Sequence, residues 1–381
     1  MARESSEGVG KRQRFSNASP EVVFTAASPC GVFPAPFSLK DAIALSRLRE
    51  LMRGMLALFL SLVLALAGAT ASAQSSLSKL ERVKFLGREY VRLRDWAAAN
   101  NFTIRSVKPG HVVELTNHSF RLVFTADSRE ATINGVNVWL SHPIAVRSSL
   151  SYIGLLDLQT AVQPVVVPPR NASGIKIRTI ALDPGHGGKD PGNRIGSQQE
   201  KKYTLLLAQE VREQLKRVGL TGLLARSTDT FVELSARTDL ARRRGADLFV
   251  SLHFNGIGSS KSEVKGAEVY CLTPVGASST NARGAGASAR AARGNGFDAK
   301  NMLLAYHLQA SLTTALAVED RGVRRARFEV LREAAMPAVL VEGGFLSHPV
   351  EGRKIVDPAY RQQMAQAIVT GLLAYKRLVE K

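Results

Sequence analysis

Thr179-Ile180-Ala181-Leu182-Asp183-Pro184-Gly185-His186-Gly187-Gly188 is the stretch on which the fold turns. Its first four residues read as a buried strand, which runs straight into an acid and a glycine-rich loop carrying one histidine. The arrangement recurs downstream. Asp247-Leu248-Phe249-Val250-Ser251-Leu252 runs into His253, followed by Phe254-Asn255-Gly256. Ala338-Val339-Leu340-Val341 runs into Glu342, followed by Gly343-Gly344-Phe345. A fourth apolar run is Thr221-Gly222-Leu223-Leu224. Helix-length amphipathic segments lie between the runs, at 203–218, 233–244, 300–317 and 358–378; in the first, Leu207, Val211, Leu215 and Val218 recur at helical spacing. Strand–helix alternation predicts an α/β fold over 176–381, a mostly parallel sheet flanked by helices.

In open α/β sheets, sites form outside the carboxyl ends of strands, where loops bring distant residues into one cleft. Two histidines and a carboxylate are a catalytic zinc set, with a fourth position left for water. On this reading His186 and His253 supply nitrogens, and Glu200, just before the helix near Tyr203, is the candidate third ligand. Glu342 stays off the metal to take and return a proton. Spacing alone leaves open a plainer alternative, structural histidines at strand ends, because this is not a compact H-E-x-x-H helix. Asp183 divides evenly between orienting a ligand histidine and capping its own loop.

Toward the amino terminus, Pro164-Val165-Val166-Val167-Pro168-Pro169 and then Asn171-Ala172-Ser173-Gly174 mark a linker over 164–175. Before it, residues 80–163 read as a smaller β-rich α+β domain. Val112–Leu115 and Phe120–Phe124 are strand-like, and Asn134-Gly135 sits between alternating runs, a hairpin signal. His111, His118 and His142 are scattered and read as ordinary surface or structural residues.

Residues 55–67 are apolar apart from Ser61, with Arg53 before them and Ala71-Ser72-Ala73 after. These are the parts of a secretory signal peptide, expected over 52–73, and the run is too short for a bilayer span. Residues 1–51 then read as a misassigned or extended leader. The mature chain is expected to be exported to the periplasm or cell envelope, with no integral membrane span.

The chain has 381 residues and a formal charge of +19. That charge invites a polyanion, but no zinc-finger spacing, aromatic RNP strand or basic zipper is present, so nucleic acid is not expected. A composition 45% hydrophobic and 22% charged excludes a disordered or collagen-like chain. Two cysteines, Cys30 and Cys271, exclude a disulfide framework, and Cys271 reads as a buried strand thiol.

Two resemblances follow. Tyr90-Val91-Arg92-Leu93-Arg94 and the β meander after it resemble the small domain at the amino terminus of copper amine oxidases and in many cell-wall proteins, implying a docking or spacer module. Residues 178–374 resemble the zinc-dependent N-acetylmuramoyl-L-alanine amidase catalytic domain of the amidase 3 type. The motifs are Asp183–Gly188 with Lys189-Asp190-Pro191-Gly192, Glu200-Lys201-Lys202, Arg226-Ser227-Thr228-Asp229, Gly245 to Asn255, Arg321-Gly322-Val323, Val330-Leu331-Arg332, Met336 to Glu342 and Gly344 to Pro349. The resemblance implies zinc held by His186, Glu200 and His253, with Glu342 as acid/base. It implies hydrolysis of the amide between N-acetylmuramic acid and L-alanine in peptidoglycan.

The sequence departs from the family at His348 and Arg327, where Asn is frequent; His348 is expected to be structural. Some members carry an inhibitory helix that plugs the zinc with a Glu. Here region 272–300 has Asp298 as its sole acid, so a Glu plug is not expected. Its Arg283, Arg290 and Arg293 read first as a solvated loop, with substrate carboxylates as the alternative. The partners expected are peptidoglycan and, where activation is needed, a protein activator; a monomer is expected. A zinc peptidase is the competing enzyme class and a wall-binding module the competing non-enzyme.

Overall fold

The computed structural model describes residues 80–257, 263–280, 288 and 290–381. The expected leader and signal segment lie outside the described residues, as does Arg283. Among the described residues, no helix is long and apolar enough to cross a membrane.

The first half is β-rich. It comprises β1 (Arg82–Phe85), β2 (Arg88–Arg92), helix α1 (Leu93–Ala99), β3 (Thr103–Lys108), β4 (Val112–Thr116), β5 (Arg121–Thr125), β6 (Glu130–Ile133), β7 (Val136–Trp139), β8 (Ala145–Arg147) and β9 (Leu150–Gly154). Strands β1, β2, β9 and β8 form one antiparallel sheet, and β3 to β7 form a meander. The Asn134-Gly135 turn joins β6 to β7 with both residues at positive φ, 48° and 82°. This is the backbone that a two-residue hairpin requires and that Asn and Gly accept most cheaply.

The second half alternates. It comprises β10 (Thr179–Pro184), a hairpin of β11 (Arg194–Ile195) and β12 (Gln198–Gln199), α2 (Glu200–Arg217), β13 (Thr221–Leu224), α3 (Leu234–Arg243), β14 (Leu248–Asn255), β15 (Ala267–Leu272), α4 (Asp298–Leu316), β16 (Asp320–Ala326), α5 (Glu329–Arg332), β17 (Ala338–Phe345), α6 (Pro349–Val356) and α7 (Pro358–Val379). Strands β13, β10, β14 and β17 run parallel; β15 is antiparallel to β17 and parallel to β16. All four expected strands and all four expected helices of this half are present.

Side chains alternate across a strand, and here the alternation sorts two cores. Ile180, Leu182, Val250, Leu252, Val339 and Val341 belong to the larger one, under Leu207, Val211 and Leu215 of α2 and the apolar faces of α4 and α7. Full burial of each such side chain contributes roughly 1.5–3 kcal/mol. Ala181, Phe249, Tyr270 and Leu340 point to the opposite face, covered by Ala241 of α3 and Val330 and Leu331 of α5. Asp183, Ser251, His253, Glu268 and Glu342 are in phase with this second, thinly covered face.

The two halves share a sheet. Its order is β13-β10-β14-β17-β15-β16-β7-β6-β5-β4-β3, continued across the middle by the parallel pairing of Val323 with Val138. The joint is reinforced by side chains. Asp320 accepts from the Asn137 amide at 2.7 Å and from Gln309 Nε2 at 2.6 Å. Trp139 Nε1 donates to the Arg321 carbonyl at 3.0 Å, and the Arg324 guanidinium lies 4.7 Å from the Trp139 ring centre. One core cluster spans both halves. Pro164 and Val165, within the expected linker, are buried in the short helix Gln163–Val166.

Cys271 is fully buried in β15, and burial pushes its thiol pKa up.

Candidate metal centre

His186 follows β10 in a left-handed backbone conformation, φ 63°, with Gly187 and Gly188 after it. A non-glycine residue there costs about 1–2 kcal/mol, and such strain concentrates at functional sites. Two buried arginines hold the loop. Arg237 NH1 donates to Asp183 Oδ1 at 2.6 Å and Arg237 NH2 to the His186 carbonyl at 2.9 Å. Arg226 Nε donates to the Pro184 carbonyl at 2.9 Å and its NH2 to the Gly185 carbonyl at 2.8 Å. Asp183 takes a further hydrogen bond from Ser251 at 2.7 Å. Asp183 therefore fastens the loop, and its hydrogen bonds go to Arg237 and Ser251 rather than to either candidate histidine.

The carboxylate that orients His186 is Asp190, whose Oδ2 is 2.8 Å from His186 Nδ1. With that nitrogen engaged, Nε2 faces Glu200 Oε1 at 3.1 Å. His253 Nδ1 reaches the same oxygen at 3.0 Å. Glu200 is the first residue of α2 and is buried. Its Oε1 also accepts from the Phe254 amide, and its Oε2 from the Asn193 backbone and side-chain nitrogens at 2.9 Å each. Burial alone would raise the Glu200 pKa, but the hydrogen bonds and charges of His186 and His253 outweigh it and hold the carboxylate far below its ordinary range. His186 moves the other way: burial disfavours its charge, and Glu200 and Asp190 more than restore it.

Close approach is secured by two glycines. A side chain at Gly185 would begin 2.2 Å from His253 Cε1, and one at Gly192 would begin 2.6 Å from Glu200 Oε2 and His186 Cδ2.

One ligand atom from each of His186, Glu200 and His253 lies within 4.8 Å of the others. Two imidazole nitrogens and a carboxylate oxygen are the donor set that zinc accepts, with a coordination position to spare. The residues fit the metal that the sequence implies.

Glu342 stands next to this group. It is the register partner of His253 across β14–β17 and of Glu268 across β17–β15. Its Oε2 is buried and has no hydrogen-bond partner among the described residues. Burial, reinforced by the charges of Glu200 and Glu268, pushes the Glu342 pKa well above the carboxylate range. Glu268 is engaged throughout: Asn255 Nδ2 and Tyr270 Oη donate to Oε1 at 2.9 Å each, and Arg321 Nε to Oε2 at 3.0 Å.

The four residues read from the sequence thus line one cleft of about 550 Å³, with Phe231, Leu234 and Phe328 exposed along it. Their positions differ from expectation in one respect. His253 and Glu342 lie inside strands that continue to Asn255 and Phe345, so these two stand on the sheet face near the strand ends, while His186 and Glu200 lie beyond strand ends as expected. Asp190 and Glu268 were not singled out in the sequence; Asp190, four residues after His186 in a second Asp-Pro-Gly phrase, carried a usable signal. His348 caps α6, its Nδ1 accepting from the amides of Val350 and Glu351.

The family model for N-acetylmuramoyl-L-alanine amidase matches residues 180–374. The chain belongs to this amidase family. It is 36% identical over 234 residues to the N-acetylmuramoyl-L-alanine amidase AmiA of Escherichia coli (strain K12), covering 55% of this chain and 79% of that protein. It is 34% identical over 230 residues to AmiC of Neisseria meningitidis serogroup B, covering 55% of each. Among solved structures, the catalytic domain of CwlV, the amidase from Bacillus (Paenibacillus) polymyxa var. colistinus, is 32% identical, with a TM-score of 0.43 over 53% of this chain and 99% of that one. The matched stretch contains all four site residues and begins one residue inside β10.

Proposed function

We propose that this amidase hydrolyses the bond between N-acetylmuramic acid and L-alanine in peptidoglycan, using zinc held by His186, Glu200 and His253 and a proton carried by Glu342. The observation that carries the reading is the convergence of three ligand atoms within 4.8 Å beside a buried, unpartnered carboxyl oxygen. Zinc in such a site lowers the pKa of water to about 7 and polarises a carbonyl.

The chain's own residues supply the rest. Asp190 fixes the His186 tautomer by accepting a hydrogen bond from Nδ1–H, leaving Nε2 for the metal. Asn193 and the Phe254 amide hold both Glu200 oxygens, so the carboxylate is aimed without relying on the metal. Glu342 accepts the proton of the attacking water and passes it to the departing nitrogen; burial gives it the raised proton affinity this task needs. An open cleft with Phe231 and Phe328 exposed along it suits a polymer better than a small enclosed molecule.

By the same reading the mature enzyme works in the cell envelope, and residues 80–163 serve as a docking or spacer module. The test is release of stem peptides from purified peptidoglycan. Activity abolished by chelator and restored by zinc, with new amino-terminal alanine in the product, is expected. Cleavage within the stem peptide instead would make the chain a peptidase.

A further inference from the structure

The sheet face that carries the site continues past Leu340 to a second cavity of about 430 Å³. Four arginines line it, Arg290, Arg293, Arg327 and Arg332, with one acid, Glu333. Arg332 reaches Glu333 only at 3.8 Å. Burial and the neighbouring charge of Arg332 both lower the Arg327 pKa, so two cations sit within each other's field. Arg290, Arg293 and Arg332 are exposed and Arg327 is half-buried, held by Ser279 Oγ and the Ala277 carbonyl, so the concavity carries a positive field that attracts an anion.

The cavity and the catalytic cleft share a wall. Phe328, Glu329 and Val330 line the cleft, while Arg327 and Arg332, at either end of the same turn, line the cavity. The Phe328 ring packs edge-on against Tyr270 at 5.2 Å, between the two. The register leads from His253 through Glu342 to Glu268, and four residues further along β15, toward the start of β17, Leu272 belongs to the second cavity.

We propose that Arg290, Arg293, Arg327 and Arg332 form a subsite for the carboxylates of the stem peptide. Guanidinium forks bind carboxylates in pairs of parallel hydrogen bonds, which fixes register as well as charge. The subsite rests on the amidase reading of the neighbouring cleft, and its role is to place the peptide so that the scissile amide meets Glu342.

The experiment compares two soluble muramyl peptides, one with free stem carboxylates and one with those carboxylates amidated. Zinc-loaded wild type is measured beside the double variant Arg290→Ala/Arg332→Ala and beside Arg217→Ala, an exposed arginine at the end of α2 on the other side of the sheet. Wild type should favour the carboxylate form by about tenfold or more in kcat/KM, the worth of one charged hydrogen bond. The preference should collapse in the double variant, chiefly through KM, and survive in Arg217→Ala, with all three proteins melting alike. Equal rates on both substrates in wild type, or an undiminished preference in the double variant, would overturn the subsite and leave the amidase standing. No cleavage of either substrate would overturn the amidase reading, and the subsite with it.

Discussion

His253 and Glu342 are register partners on adjacent parallel strands. Strand spacing of about 4.8 Å sets the proton carrier beside a ligand-bearing strand, close enough to serve the same substrate atom. Glu342→Gln keeps the shape and removes the proton traffic. Stem-peptide release should fall by about 10²–10⁴-fold, the usual weight of a general acid/base, while metal content stays at one per chain. Metal analysis beside the activity assay separates this from loss of the site; a variant that has lost its metal would show that Glu342 acts as a ligand.

Asp190 acts through His186. Its oxygen 2.8 Å from Nδ1 fixes the ring, so Asp190→Asn should weaken zinc binding by about 10–100-fold. Activity at limiting zinc should drop accordingly and recover as zinc is raised. A defect that excess zinc leaves untouched would place Asp190 in the chemistry instead.

The buried proton of Glu342 has a signature in stability. In the metal-free protein its pKa lies well above the ordinary 4.5, so the folded state binds the proton more tightly than the unfolded chain does. That contribution is present in full below about pH 4.5 and is lost as pH rises through the raised folded value. As pH rises above the ordinary 4.5, metal-free wild type should therefore lose stability relative to Glu342→Gln, whose amide does not titrate. Denaturant unfolding of both proteins gives the comparison, and a constant gap would contradict the assignment.

Arg237 is 2% exposed and donates to Asp183, Pro184, His186 and Val232. Arg237→Ala would leave the Asp183 carboxylate buried with Ser251 as its one remaining side-chain partner. A loss of about 3–5 kcal/mol is expected, together with zinc affinity, because the same arginine anchors the His186 carbonyl. Urea unfolding and zinc titration read the two effects; stability unchanged within 1 kcal/mol would show the loop holds without it.

The parts of this site that the sequence exposes are those with a local signature. Ala338–Val341 is a continuous apolar run because β17 is buried on both faces, and its phase places Leu340 and Glu342 together. β16 carries no such mark: Asp320-Arg321-Gly322-Val323-Arg324-Arg325-Ala326 is charged, and it is a strand because its arginines find Glu268, Trp139 and buried carbonyls. Glu268 stayed hidden for a related reason, since its ion pair with Arg321 and its pairing with Glu342 join residues more than 50 positions apart. The joint between the halves is non-local too. Val138 and Val323 meet across 185 positions, and no window of sequence holds both.

That joint makes a prediction for residues 176–381 expressed alone. Removing the first half strips β7 from β16 and leaves Asp320 without Asn137 and Arg321 without Trp139. An open, unprotected strand edge invites association. The shortened chain should melt lower than residues 80–381 and form oligomers by light scattering; an equally stable monomer would mean the second half stands by itself.

The shared sheet also works as a ruler. From β14, which carries His253, to β3 at the far edge is eight strand spacings, about 40 Å along the sheet. A polymer gripped at the far edge would meet the cleft at a set distance and bearing, without a tether to swing it. Where this amidase cuts would then depend on how the wall is oriented beneath it as much as on what the cleft can bind.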